Sequence, residues 1–442
     1  MKKILSLILL LCTTLCFIGC SNETSNNRKV ERPNIEKQSK SESIDMNVYI
    51  DGTYSMSGYV NYSGSTVYDG ALKNIETTAM ANWKQDNIQY FKFGDSIQPI
   101  SYEQFLNFNK VSFYQEKDTS LQKVIDSMDA AKFNILISDM FQTNQDINSL
   151  VKSLKNICFN DNSKAMALIG IKSQFNGKVY DVGKNYASFS YSSTEEKESY
   201  RPFYLLVIGN EADVRLFTDN YIKTFKQDDL VKAVLFSKNM GTEILLSPGK
   251  AIPNNNKEKL ANMAQISTML GSGSDILQYR LKLDEKKSGF NSILTAGGVI
   301  GNVPDNFSEF TFNVEKWDTN GKFTPITAKN FVEVTGSNVG LRDGNVNLNL
   351  LCEFNPSSIK RTEGKYRINL SLFPSKEDYL QSNKVFEEWN FNNELVVTPE
   401  ELQAVGGKTL NITYLVDRIS MLNYEMNKPG FYNIYVYLEA LN

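Results

Sequence analysis

The chain has 442 residues, of which 41% are hydrophobic, 22% charged and 12% aromatic, a composition typical of globular protein and not of disordered or multi-span membrane chains. Lys and Arg number 47 against 50 Asp and Glu, so no basic excess indicates binding to nucleic acid. Histidine is absent, which excludes Ser-His-Asp and Cys-His catalysis and His-ligated zinc or haem.

The N-terminus predicts export and anchoring. Lys2 and Lys3 precede an apolar run over residues 4–18, which is too short to span a bilayer but suits a signal-peptide core. The run ends in FIGC at residues 17–20, which resembles the lipobox of bacterial lipoproteins. The resemblance implies cleavage before Cys20 and its acylation, which would anchor the protein to the extracytoplasmic face of a cell membrane. A secretory signal with an incidental cysteine is the alternative.

Composition and periodicity divide the chain into four segments. Residues 1–19 form the predicted signal peptide, and residues 20–44 form the acylated cysteine and a polar, flexible tether. Residues 45–228 form an α/β domain. Residues 229–442 form a β-rich domain, best explained as a β-sandwich.

Apolar strands alternate with amphipathic helices in the α/β domain, which predicts a mostly parallel sheet with helices on both faces. Buried strands are predicted at residues 133–138, 165–171 and 203–209. A short apolar strand is predicted at residues 46–50, and the strands at residues 88–93 and 97–100 are predicted to pair as a hairpin. Helices are predicted around residues 72–83, 121–128, 146–157 and 214–225. The polar segment 172–202 is interpreted as an insertion or β-extension between two core strands.

Oxygen-bearing side chains follow the predicted strands at the edge of the sheet where such folds bind ligands. Asp51, Thr53 and Ser55 follow the first strand, and Asp139 follows the strand at 133–138. Thr119 precedes the helix at 121–128. These are hard oxygen ligands, which suit Mg²⁺, Mn²⁺ or Ca²⁺.

The order of these five residues resembles the metal-ion-dependent adhesion site of von Willebrand factor A (vWA) domains, which reads Asp-x-Ser-x-Ser, then Thr, then Asp. Here Thr53 replaces the first Ser, and Asp118 and Met140 stand where family members often have Gly. The resemblance covers residues 45–228 and implies a vWA-like, Rossmann-like fold.

By the same resemblance, Ser55, Thr53 and Thr119 would coordinate a divalent cation through their hydroxyls, with Asp51 and Asp139 acting mostly through bound waters. Neutral direct ligands leave the charge of the ion incompletely offset, so it retains affinity for an acidic residue of a partner protein. Such a site binds and needs no general base, so we expect a protein that is not an enzyme. Tyr54, Tyr59 and Tyr62 lie in the loop after the first predicted strand and are candidates for the rim of the partner interface.

Each motif also has a structural explanation. A strand end followed by Asp-Gly is common turn chemistry, and Thr119 or Asp139 could cap the element that follows it. A phosphatase with a nucleophile motif ending in Asp-Gly-Thr would need a second Asp at position 49, which is Tyr49.

The C-terminal half alternates apolar and polar residues, as in residues 310–315, 346–352, 366–372 and 432–438. This pattern predicts antiparallel strands with one face buried and the other exposed to solvent. Three rivals remain to the metal-dependent interaction protein: a solute-binding lipoprotein of a transporter, an enzyme with its chemistry in residues 229–442, and a metal-free structural scaffold of an envelope complex.

Overall fold

The fold was analysed in a computed structural model, which describes most residues from Lys40 to Leu441. The described ranges are 40–118, 120–140, 144–161, 163–225, 228–237, 245–247, 266–268, 277–282, 290–297, 309–326, 332–342, 345–354, 364–373, 375–392, 395–427 and 432–441. The predicted signal peptide, Cys20, most of the tether and Thr119 lie outside them. Among the described residues, no helix combines the length and apolarity needed to cross a bilayer.

A seven-stranded sheet forms the centre of the α/β part of the chain, with strand order β3-β2-β1-β4-β8-β5-β9. The strands up to residue 237 are β1 (Ser43–Asp51), β2 (Gln85–Phe93), β3 (Ile97–Ile100), β4 (Phe133–Ser138), β5 (Lys164–Ser173), β6 (Asn176–Val182), β7 (Ala187–Ser192), β8 (Arg201–Asn210) and β9 (Val231–Ser237). All six residues of β4 are buried, as expected of a strand covered on both faces.

The sheet is mixed. β2, β1 and β4 pair in parallel, whereas β3 runs antiparallel to β2, β8 to β4, and β5 to both β8 and β9. The predicted parallel arrangement is therefore found for β2, β1 and β4 in the centre of the sheet and not for the strands on either side of them. The reason is the segment at 172–202, which forms the predicted β-extension as the hairpin β6–β7. A hairpin returns the chain beside β5 without a helical crossover, so β8 runs antiparallel to it.

Helices cover both faces of this sheet, which confirms the predicted α/β class. The described α-helices are α1 (Val67–Asn82), α2 (Tyr102–Phe105), α3 (Leu121–Ser127), α4 (Asn144–Leu154), α5 (Glu211–Lys223), α6 (Lys376–Ser382), α7 (Leu402–Gly406) and α8 (Ile412–Met426). Alternate residues of β1 point to opposite sides: Val48 packs in one core with α1 and α5, and Tyr49 in the other with α3, α4 and α8.

The α/β unit extends beyond residue 228, where the sequence predicts a domain boundary. β9 is a strand of the central sheet, and α8 buries Leu415 and Ile419 in the core on one face of that sheet. The folded part also begins before the predicted residue 45. β1 starts at Ser43. Before it, Ser41 donates hydrogen bonds from its backbone N (2.8 Å) and its Oγ (2.6 Å) to the buried carboxylate of Asp213 on α5.

The remaining strands form two larger sheets and one small one. Their bounds are β10 (Leu245–Ser247), β11 (Ile266–Thr268), β12 (Leu277–Lys282), β13 (Phe290–Gly297), β14 (Glu309–Trp317), β15 (Phe323–Ile326), β16 (Val332–Arg342), β17 (Asn345–Phe354), β18 (Gly364–Phe373), β19 (Asn390–Phe391), β20 (Thr409–Leu410) and β21 (Tyr432–Leu441). The sheet orders are β10-β13-β17-β16, β11-β12-β21-β18-β14-β15 and β19-β20. Most neighbours in the two larger sheets pair antiparallel, which confirms the predicted β-rich second half; β12 and β21 pair in parallel.

Candidate metal centre

The first part of the candidate site is the turn that follows β1. Asp51 ends this strand and is fully buried. Its Oδ1 accepts hydrogen bonds from the backbone N of Thr53 (3.0 Å) and from the Thr53 hydroxyl (2.7 Å). Gly52 lies between them and leaves room for the side chain of Lys92, because a Cβ at this position would lie 2.3 Å from Cε of Lys92. The turn thus directs the Thr53 hydroxyl and the Asp51 carboxylate to one point.

A short 3-10 helix, Tyr54–Tyr59, adds the third residue. The hydroxyl oxygens of Thr53 and Ser55 lie 3.1 Å apart. Thr53 is buried and Ser55 is half-buried. The three residues predicted from the Asp-x-Thr-x-Ser motif therefore form one hydrogen-bonded group that reaches from the core towards the surface.

The end of β4 supplies the second part of the site. Ser138 ends the strand and donates a hydrogen bond from its hydroxyl to Oδ2 of Asp51 (2.7 Å). The next residue, Asp139, is buried with 5% of its surface exposed. Met140 follows with φ of 56°, a conformation that glycine adopts without strain and methionine does not. Its backbone N donates to the Ser138 hydroxyl (3.1 Å).

The environment of Asp51 perturbs its carboxylate. Burial and, after it, the negative charge of Asp139 raise the pKa of Asp51 to about 7, although the hydrogen bonds from Thr53 and Ser138 act to lower this pKa. A buried acid whose pKa is raised in this way binds a proton more readily than an exposed acid does. The repulsion between the negative charges of Asp51 and Asp139 would be reduced by a positive charge placed beside them.

One cation of the protein itself already faces this site. Arg201 begins β8 and is buried, with one of its terminal nitrogens (Nη2) 3.8 Å from Oδ2 of Asp139. Its other terminal nitrogen (Nη1) donates to the backbone carbonyls of Gly406 and Lys408, each at 2.9 Å, and its Nε has no hydrogen-bond partner among the described residues. The guanidinium also lies over the ring of Phe175, 5.4 Å from its centroid.

Sequence reasoning missed Ser138 and Arg201. Ser138 had a usable signal, because it is the last polar residue of a buried strand that directly precedes a predicted ligand. Arg201 had a weaker one, a lone arginine at the start of the apolar run at 203–209. Its role depends on contacts with residues more than 200 positions away, and no local pattern encodes those.

Thr119, the remaining predicted ligand, lies outside the described residues. The segment that leads to it does contact the site. Glu116 forms a bridge with Thr53, in which its backbone N donates to the carbonyl of Gly52 (3.0 Å) and its carbonyl accepts from the backbone N of Tyr54 (3.0 Å). Three residues before Thr119, the chain thus runs beside the turn after β1.

The predicted tyrosine rim is only partly at the surface. Tyr54 is 45% exposed and Tyr62 is half-buried. The prediction for Tyr59 is wrong, since this side chain is fully buried and donates its hydroxyl to the carbonyl of Pro202 (2.6 Å). The 3-10 helix turns Tyr59 inward, where its ring packs edge-on against that of Phe175.

The chemistry of this group suits a hard divalent cation, because two carboxylates and two hydroxyls offer oxygen atoms only. Among the described residues, no group of three or more His, Cys, Asp or Glu side chains is placed to hold a metal ion. A site of the predicted kind would not form such a group, since hydroxyls supply part of its ligands. No family model matches the sequence, and no curated protein or solved structure is detectably similar to it.

Proposed function

We propose that the protein is a membrane-anchored extracytoplasmic lipoprotein whose vWA-like domain binds a divalent cation and mediates a metal-dependent interaction with another protein. The observation that supports this most is the hydrogen-bonded group of Asp51, Thr53 and Ser55 after β1, near enough to Asp139 after β4 for its charge to act on Asp51. These strands are parallel neighbours, so residues that follow them meet at one edge of the sheet, where α/β folds bind ligands.

In this proposal the cation is Mg²⁺, or Mn²⁺ or Ca²⁺ in its place. The hydroxyls of Thr53, Ser55 and Thr119 would hold it, together with the carboxylates of Asp51 and Asp139. The ion would supply an electrophilic centre for an acidic ligand. The protein's own contribution is to pre-orient the oxygens, since Asp51 fixes the Thr53 hydroxyl and Ser138 fixes Asp51.

The partner would offer an Asp or Glu side chain to the ion. Hydroxyl ligands carry no charge, so the ion keeps part of its charge for this carboxylate. Tyr54 is exposed beside the site and Tyr62 partly so, and tyrosine is enriched at the energetic centres of protein interfaces. We therefore place these two at the rim of the contact and omit Tyr59.

The rest of the chain would position this site. Cys20 would carry the lipid anchor in the membrane, and the residues between Cys20 and Lys40 would serve as the tether. The two larger C-terminal sheets would pack face to face as a β-sandwich that acts as a spacer or as a second interaction surface.

A metal-free structural scaffold is the second candidate. It is favoured by the ion pair between Arg201 and Asp139, in which a buried guanidinium already offsets one carboxylate of the site. In that case the same residues would stabilise the edge of the sheet without an added cation.

A thermal-unfolding experiment separates the two. The full-length protein in detergent micelles is compared in EDTA and in Mg²⁺, as wild type, Ser55→Ala and Ser57→Ala. Ser57 lies on the same 3-10 helix, and its hydroxyl bonds to the carbonyl of Tyr54 and not to the site, which makes it the matched control.

If Mg²⁺ binds, a concentration of about 100 times Kd stabilises the folded state by about 2.7 kcal/mol. We expect Tm to rise by several degrees in the wild type and in Ser57→Ala, and not in Ser55→Ala. An absent rise in the wild type, or an equal rise in Ser55→Ala, would favour the scaffold.

A further inference from the structure

A cavity separate from the candidate metal centre lies at the β3 edge of the central sheet. It has a volume of about 840 Å³ and is open to solvent on one side. Its walls come from α1, β2, β3 and the start of α2. A volume of this size is typical of sites that bind small molecules.

Aromatic and apolar side chains line one face of this cavity. Tyr90 lies opposite Ile100 in the antiparallel pair β2–β3, so both side chains point to the side of the sheet that α1 covers. Tyr102 at the start of α2 is half-exposed, and its ring centroid lies 6.0 Å from that of Tyr90 at an interplanar angle of 46°. Met80 of α1 completes this wall with 70% of its surface exposed.

A single carboxylate, that of Glu76 on α1, faces the two tyrosines. It accepts a hydrogen bond from the hydroxyl of Tyr90 and a second from that of Tyr102 (3.3 Å). The negative charge of Glu76 raises the pKa of Tyr102. No lysine or arginine in the described part of the chain forms an ion pair with Glu76, and the lysine one turn earlier, Lys73, pairs with Asp69 (2.8 Å).

The cavity thus combines the exposed ring of Tyr102, a polarisable thioether and the negative charge of Glu76, which no lysine or arginine among the described residues offsets; the ring of Tyr90 is buried and stacked on that of Phe105 (4.1 Å between centroids). The face of an aromatic ring attracts cations through its quadrupole, and substituted ammonium groups are recognised by aromatic side chains. A neutral apolar ligand would leave the carboxylate without a counter-charge, and an anionic ligand would be repelled by it.

We propose that this cavity binds a small organic cation with a substituted ammonium group, held against the exposed ring of Tyr102 and paired with Glu76. The proposal does not depend on the candidate metal centre. It concerns different residues and would stand if that site held no ion.

The test uses choline and its neutral isostere 3,3-dimethyl-1-butanol, which has the same shape and no charge. Binding to the full-length protein in detergent micelles is followed by saturation-transfer NMR and by calorimetry. We expect saturable binding of choline and at least about tenfold weaker binding of the isostere, since cation–π contact and charge pairing both require the positive charge.

Two variants test the residues. Glu76→Gln keeps the shape of the side chain and removes its charge, and we expect it to weaken choline binding at least tenfold while leaving the isostere unchanged. Glu103→Gln removes a neighbouring exposed acid of α2 that does not line the cavity, and we expect wild-type binding.

Three results would overturn the proposal. The first is the absence of saturable choline binding, and the second is equal binding of choline and the isostere. The third is tighter binding of a capped lysine peptide than of choline, because the ligand would then be a side chain of another protein and not a small molecule.

Discussion

The buried carboxylate of Asp51 gives a sharp prediction for the metal-free protein. Its pKa in the folded state is about 7, whereas that of an unperturbed aspartate is 3.8. The folded state therefore binds this proton more tightly than the unfolded state does. By linkage, the stability contributed by Asp51 is complete below pH 4, falls by about 1.4 kcal/mol per pH unit, and is lost once the pH exceeds 7.

Replacing Asp51 by Asn removes this titration and retains the shape of the side chain. The amide oxygen of the new side chain accepts the two hydrogen bonds from Thr53. Its NH₂ group donates to the Ser138 hydroxyl oxygen, so the proton of that hydroxyl no longer has an acceptor. That loss costs about 1 kcal/mol. The full difference between pKa 3.8 and 7 corresponds to about 4 kcal/mol. Asp51→Asn should therefore exceed the wild type by less than about 1 kcal/mol at pH 5 and by about 3 kcal/mol at pH 8.

Urea unfolding in EDTA at pH 5, 6, 7 and 8 measures this difference. Trp83 packs in the same core as Ile50 of β1 and contributes to the fluorescence signal. Asp219→Asn is the control, because Asp219 is an exposed acid on α5 and its removal should leave the dependence on pH unchanged. Parallel curves for Asp51→Asn and the wild type over this range would refute the reasoning.

Three further substitutions test the packing around the site. Arg201→Met removes the guanidinium from beside Asp139 and from two backbone carbonyls in the core, so it should cost about 3–5 kcal/mol in urea unfolding; a loss below about 1 kcal/mol would contradict the buried ion pair. Tyr59→Phe removes the hydrogen bond to Pro202 and should cost about 1 kcal/mol, whereas Tyr54→Phe at an exposed position should change stability by less than about 0.5 kcal/mol. Equal effects in the two tyrosine variants would contradict their different burial.

Local periodicity was enough to predict the elements of the α/β part. The strand predicted at residues 133–138 is β4 with the same bounds, and the predicted pair at 88–93 and 97–100 is the antiparallel hairpin β2–β3. These elements carry strong signals because their side chains are buried in a regular pattern. The proximity of the motif residues Asp51, Thr53 and Ser55 could also be predicted locally, because residues spaced two apart across one turn must lie close together.

The order and direction of the strands in the central sheet were harder to predict from the sequence. The sequence placed the strand at 203–209 in a mostly parallel sheet, whereas β8 lies antiparallel between β4 and β5. Strand order is set by contacts between distant segments, and a buried strand shows the same apolar run whichever way it points. The inward turn of Tyr59 was missed because a 3-10 helix of six residues has no periodicity that distinguishes its buried side.

Arg201 shows why the two halves of the chain are not independent. Its guanidinium contacts a candidate metal ligand on one side and the carbonyls of Gly406 and Lys408 on the other. A divalent cation beside Asp139 would repel this guanidinium, because like charges in a buried site interact strongly. Occupancy of the site would then weaken the pair with Asp139 and leave Arg201 held mainly by the segment between α7 and α8. In the proposed metal site, the C-terminal half would therefore help to set how readily a cation binds.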